Sequence, residues 1–135
     1  MADRGQLPDS LMAIVLPRRF TWTRLLELGL SVIFIVAGTV KLAGIPFMVS
    51  LFGQLGLGQW LRYVTGLVEL SGGLALVSGR QQYLAALALA VIMVGATDAS
   101  IVVFDRSPIP PFLTLLALLA VAWLRRPSNT SRVGQ

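Results

Sequence analysis

Hydrophobic residues fall in four long runs, separated by short polar or glycine-rich stretches. The first run is about Leu25 to Leu42, the second about Trp60 to Ser78, the third about Tyr83 to Phe104 and the fourth about Ile109 to Leu124. Each is apolar around the whole helical circumference, with no polar face for water. A bilayer-crossing helix needs about 20 mostly apolar residues, which the first three runs supply. The fourth is shorter and predicts a helix of about 18 residues. Its start is expected near Ser107-Pro108, with Ser as cap and Pro at the first helical position. Pro110 and Pro111 then lie in the first turn, where backbone donors have no helical partner. Between the first and second runs, Ile45 to Gln59 is too polar and glycine-rich to cross. Phe47, Leu51, Phe52 and Leu55 recur there at helical spacing and predict a short helix lying in the interface. The predicted fold class is all-α: an integral-membrane four-helix bundle with a short interfacial helix between helices one and two.

The connection between the second and third runs is only about Gly79 to Gln82, so those two are expected to pack as an antiparallel hairpin. Residues 1–23 read as a cytoplasmic or interfacial N-terminal segment, 24–126 as the membrane domain and 127–135 as a disordered tail rich in Ser, Asn, Thr and Gly. Leu11–Leu16 is too short for a signal peptide, and Pro17-Arg18-Arg19 follows it in place of a cleavage site.

Composition sharpens this reading. Hydrophobic residues make up 56% of the 135 and charged residues 13%, with a mean hydropathy of +0.79. A soluble domain is about a quarter charged. There is no cysteine and no histidine, so a disulfide, a dithiol and a thiolate or imidazole metal site are excluded. No metal-ligand spacing, phosphate loop or nucleophile–base pair is present. No catalytic residue is assigned, and enzyme and non-enzyme both stay open. The net charge of +5 does not indicate nucleic acid, because the basic residues flank apolar runs and form no stripe on a soluble surface.

Those basic residues set an orientation. With four crossings, one side holds Arg4, Arg18, Arg19, Arg24, Arg80, Arg125, Arg126 and Arg132, and the other holds Lys41, Arg62 and Arg106. The positive-inside rule then puts both termini in the cytoplasm. Trp22, Trp60, Tyr63, Tyr83 and Trp123 fall near the run ends, where aromatic belts form.

The candidate chemistry lies in the few polar residues inside the runs. An intramembrane carboxylate costs roughly 2.5–3.5 kcal/mol on insertion scales, so it normally faces an interior and has a partner. Glu69 lies roughly 13 Å along the second helix from its outer end. Asp98 lies roughly 22 Å along the third from the opposite side. Lys41 ends the first helix on the outer side. Lys41, Glu69 and Asp98 are therefore expected to share a polar pocket in the outer half, serving either a ligand or helix packing. As a plainer reading, Lys41 is an interfacial anchor that snorkels outward, and Asp98 bonds to Thr97 or Ser100 or is exposed by an early end to the third helix. Glu27, at the other end of the first helix, reads as an interfacial residue near Arg24 and Arg80. Gly38, Gly66, Gly72, Gly73 and Gly95 are expected to allow close helix packing.

At these residues the chain resembles the DoxX-like family of small four-helix inner-membrane proteins. The resemblance is carried by Arg24-Leu-Leu-Glu-Leu-Gly29 with Phe34, Gly38 and Lys41-Leu42, then by Phe52 with Leu55-Gly56-Leu57. Gly66-x-x-Glu69-x-x-Gly72-Gly73 with Gly79 follows, and Met93 also fits. The resemblance covers about residues 24–126. It implies a multi-pass protein of a bacterial plasma membrane, linked to quinone and sulfur redox systems. It carries a role over to Lys41 and Glu69. The absence of cysteine separates this chain from any thiol-using member.

The expected function is an accessory or quinone-associated subunit of a membrane redox system, without redox chemistry of its own. The alternatives are a membrane scaffold or chaperone for a partner protein, and a small lipid or solute carrier. No cofactor is expected to be covalently bound, and quinone is the one the resemblance leaves room for. Expected partners are the lipid bilayer and other membrane subunits or further copies of the chain.

Overall fold

The computed structural model describes residues 9–127, with side chains from Trp22 onward. The tail expected to be disordered lies, from Ser128, outside the described residues. Among these residues every regular element is a helix: α1 (Asp9–Ala43), α2 (Pro46–Gln54), α3 (Trp60–Ser78), α4 (Gln82–Val102) and α5 (Ile109–Arg125). The four long runs are α1, α3, α4 and α5, and the short interhelical element is α2.

The helix ends follow from local chemistry. α1 begins at Asp9, well before its apolar run, and passes Pro17 with the loss of one backbone donor. Gly44, in the left-handed region, ends it. Pro46 stands at the start of α2, where a missing N–H has no consequence. α3 ends on Gly79 in the left-handed conformation that glycine adopts without steric penalty. α5 starts at Ile109 with Pro108 as its cap residue. The Ile109 N–H reaches back to the Ser107 hydroxyl at 3.4 Å.

Two packed pairs make the bundle. α1 lies along α3, α4 lies along α5, and α3 joins the pairs by touching α4. α3 and α4 are thus neighbours, as their short connection predicts, but each packs more extensively on another helix. The reason is residue size. Gly38 faces the Gly66 carbonyl and the Leu70 amide so closely that an added Cβ would lie 2.7 Å from each. A Cβ on Gly73 would lie 2.9 Å from Ile35 Cγ1 and 3.1 Å from the Ser31 carbonyl. These glycines let the α1 and α3 backbones approach, as small residues do in membranes. Gly66 fits beside Lys41 and Leu42, and Gly72 receives the Leu89 side chain of α4. Gly95 departs from the expectation: nothing lies within 4 Å of a Cβ built there, so it makes no close packing contact among the described residues.

The apolar core lies toward the end of the bundle that holds Arg24 and Arg125. Leu30 and Phe34 of α1, Leu76 of α3, Ala85, Ala86, Leu89, Ala90 and Met93 of α4, and Leu118, Val121 and Ala122 of α5 form it. Large apolar side chains also point outward on every helix, including Trp22, Leu67, Val91 and Leu113. An outer surface of this kind suits lipid rather than water. Trp22–Ala43 and Gln82–Val102 are each long and apolar enough to cross a membrane. In α2 the expected apolar face divides: Phe52 is buried, while Phe47 is exposed beneath the Arg106 guanidinium.

Candidate functional site

Among the described residues, two buried carboxylates, Glu27 and Glu69, lie one toward each end of the bundle and organise its polar interior. Glu69 projects from the middle of α3, and Lys41 stands in the last turn of α1. Because the two helices are antiparallel and closely packed, the Lys41 side chain can run along the Gly66 surface toward Glu69. Lys41 Nζ donates to Glu69 Oε2 at 2.6 Å. The Glu69 side chain is 2% exposed and that of Lys41 16%. A short charge-assisted bond in such surroundings is stronger than a neutral one. Lys41 therefore turns inward and does not act as an outward-snorkelling anchor.

Arg62 adds a second cation near this end. It is 4% exposed, a burial that arginine rarely shows without partners. Its Nε donates to Gln59 Oε1 at 2.9 Å, and its Nη1 donates to the Lys41 carbonyl. The guanidinium also sits 4.3 Å from the Tyr63 ring centroid. Arg62 thus closes the open carbonyl end of α1 and fixes the backbone from which Lys41 extends.

Asp98 does not join this group. It is exposed on α4 and forms no hydrogen bond or ion pair with another described residue. Its neighbours offer it nothing: Thr97 donates to the Met93 carbonyl and Ser100 to the Ala96 carbonyl, each within its own helix. The buried positions of α4 are Gln82, Ala85, Ala86, Leu89, Ala90 and Met93. At 100° per residue Asp98 falls on the other side, in line with Leu84 and Val91. The three-residue pocket expected from depth alone is in fact a pair plus Arg62. Depth along a helix does not determine azimuth.

At the opposite end, Glu27 is fully buried and holds three partners from three helices. Arg125 of α5 donates from Nε to Oε1 at 2.6 Å and from Nη2 to Oε2 at 3.1 Å. Gln82 of α4 donates to Oε2 at 2.9 Å, and Arg24 of α1 to the same oxygen at 3.3 Å. Arg24 also donates to the Leu76 and Val77 carbonyls at the end of α3. The expected interfacial Glu27 is thus the hub that ties four helices together, and Arg80 is an exposed loop residue outside it. Sequence reading missed Arg125 and Gln82. Both begin or end their helices on the side where Glu27 lies, and that shared level was the available signal.

Every fully buried side-chain nitrogen or oxygen among the described residues has a hydrogen-bond partner. Those residues hold no cluster of His, Cys, Asp or Glu able to ligate a metal. The buried carboxylates of the described residues are held by ion pairs that link helices.

The chain is similar to two proteins of Bacillus subtilis strain 168. It is 31% identical over 74 residues to one named "Putative oxidoreductase CatD", a stretch that is 55% of this chain and 55% of that protein. The chain therefore spans little more than half the length of that relative. It is 26% identical over 99 residues to "Uncharacterized protein YdgD", covering 70% of this chain and 87% of that one. No solved structure matches. The DoxX family model matches residues 24–105, a stretch that contains Glu27, Lys41, Arg62, Glu69 and Gly73, and the chain therefore belongs to the DoxX family of membrane proteins.

Proposed function

We propose that this chain is a multi-pass subunit of a bacterial plasma membrane, accessory to a membrane redox system and without redox chemistry of its own. α1, α3, α4 and α5 each cross the bilayer and α2 lies in the outer interface. The observation that carries the reading is that both buried carboxylates are bound into ion pairs between helices. A carboxylate so held fixes helix geometry, and it has no histidine or thiol beside it to exchange protons or electrons with. The similarity to a protein named as an oxidoreductase supports the redox setting.

A quinone association is a narrower form of the same proposal. It is favoured by the Lys41–Glu69 pair, in which the Lys41 side chain is 16% exposed. A quinone carbonyl would accept from the Lys41 Nζ protons that Glu69 does not take.

The experiment is purification of the tagged full-length chain from its native membrane in mild detergent. Co-eluting proteins and lipids are identified by mass spectrometry. The reading expects a stoichiometric membrane partner that carries a redox group. A chain that elutes alone, or with only chaperones and unrelated clients, would refute the accessory role.

A further inference from the structure

Asp98 is a charge within a long apolar helix that has no partner among the described residues. It sits four residues inside the Val102 end of α4, about 6 Å along the helix. Leu84, Ala88, Val91, Gly95, Asp98 and Val102 alternate at spacings of four and three, so they form one stripe along α4. All six are exposed. Val91 and Val102 are 71% and 77% exposed, and Gly95 is an open notch between them. The stripe points away from α3 and α5. In a membrane it would place a carboxylate against lipid, at a cost that intramembrane acids avoid by pairing. Aspartate also lacks the long stem by which lysine and arginine reach the interface. No described residue of this chain supplies the counter-charge, and Arg106, the nearest cation in sequence, is engaged with the Phe47 ring.

We propose that this stripe is a docking face for a transmembrane helix of a different protein, one that carries a lysine or arginine in its outer half opposite Asp98. The Gly95 notch lets that helix approach closely. Charge decides against a second copy of the chain. Two copies paired symmetrically through α4 would set Asp98 against Asp98, and like charges disfavour that arrangement. The proposal rests on the reading of this chain as a membrane subunit and names the surface by which it binds.

The test places a photoreactive amino acid at Val91 in the full chain, in its native membrane, with Leu113 on α5 as the control position. The expected adduct at position 91 joins a transmembrane peptide bearing Lys or Arg in its outer half. Asp98→Leu should lower its yield by about tenfold or more, because it leaves the partner's charge unpaired. Asp98→Glu should retain most of it. The purified Asp98→Leu chain should melt no lower than the native one, since Asp98 has no partner among the described residues. Gly95→Leu fills open space in the chain, so it should reduce the yield without loss of folding, and it serves if Asp98→Leu fails to accumulate. An adduct to lipid alone, to a second copy, or of undiminished yield in these variants would overturn the proposal. A redox partner that co-purifies but never cross-links at position 91 removes this face and leaves the accessory role standing. A chain with no partner removes both.

Discussion

Arg24 and Arg62 close each other's helices. Arg24, on α1, donates to the Leu76 and Val77 carbonyls at the end of α3. Arg62, on α3, donates to the Lys41 carbonyl at the end of α1. The last carbonyls of a helix have no partner within it and carry its negative pole, so a guanidinium there satisfies both hydrogen bonding and charge. Inside a bilayer no water can do this instead. Each arginine accompanies one buried carboxylate, Glu27 at one end and Glu69 toward the other. The α1–α3 pair is thereby clamped at both ends, with glycines between the clamps.

The glycine contacts give the first prediction. Gly38→Ala would put Cβ at 2.7 Å from two backbone atoms of α3 and cannot be absorbed by a side-chain rotation. Overpacking of this kind costs about 1–3 kcal/mol. Gly73→Leu should do the same against Ile35 and the Ser31 carbonyl, and would also disturb the 2.7 Å bond from the Ser31 hydroxyl to the Gly73 carbonyl. Gly95→Ala meets nothing and gains helix propensity, so it should leave stability equal or slightly raised. Thermal melting of the three variants in detergent should rank them in this way. An unchanged melting point for Gly38→Ala would show that α1 and α3 do not meet as described.

The second prediction concerns Glu27. Removing its carboxylate deprives Arg125, Gln82 and Arg24 of the acceptor they share. Breaking a buried ion pair costs on the order of 3–5 kcal/mol, and the partial exposure of Arg24 and Arg125 places this network at the lower end. Glu27→Leu should therefore be among the most destabilising single changes in the chain. Arg80→Ala, in the exposed loop, should be neutral. Limited proteolysis with melting curves would separate the two, and equal behaviour would mean that the hub does not hold the helices.

Much of this fold was legible because apolar run length and turn residues are local signals. The four long helices and the short α2 followed from them, and so, to within one residue, did the start of α5, where Pro108 stands as the N-cap in place of Ser107. What was not legible was azimuth. Lys41 and Glu69 were placed at similar depth and do meet, whereas Asp98, placed in the same half, lies on the other side of α4. The same gap hid Arg125 from Glu27, because Arg125 on α5 lies 98 residues from Glu27 in sequence. Gly95 illustrates it again: a small residue permits close packing but does not require a neighbour.

Orientation supplies the third prediction. The arginine-rich end, with Arg24, Arg80, Arg125 and Arg126, should face the cytoplasm. A reporter fused after Gln135 should read cytoplasmic, and one inserted near Gly53, in α2, should read external. A C-terminus on the external side would invert the assignment of the two ion-pair ends to the two membrane faces.

The fourth prediction separates charge from shape at the Lys41–Glu69 pair. Glu69→Leu strands the Lys41 ammonium against α3 with no acceptor at 2.6 Å, and Lys41→Met strands the carboxylate in turn. Each single change should destabilise by roughly 3 kcal/mol or more, since each leaves an uncompensated buried charge. Joining them removes both charges and leaves two apolar side chains of similar bulk. The double variant Lys41→Met/Glu69→Leu should therefore regain much of the native melting temperature, a non-additivity expected of residues in direct contact. Glu69→Gln keeps the shape and one acceptor, so it should fold while losing the charge. If the pair only fixes packing, the double variant will also restore function in a cellular complementation assay. If the pair meets a ligand such as a quinone, the double variant will be stable but inactive, and Glu69→Gln will be folded and impaired. Additive losses in the two single variants would mean that Lys41 and Glu69 do not form the pair described.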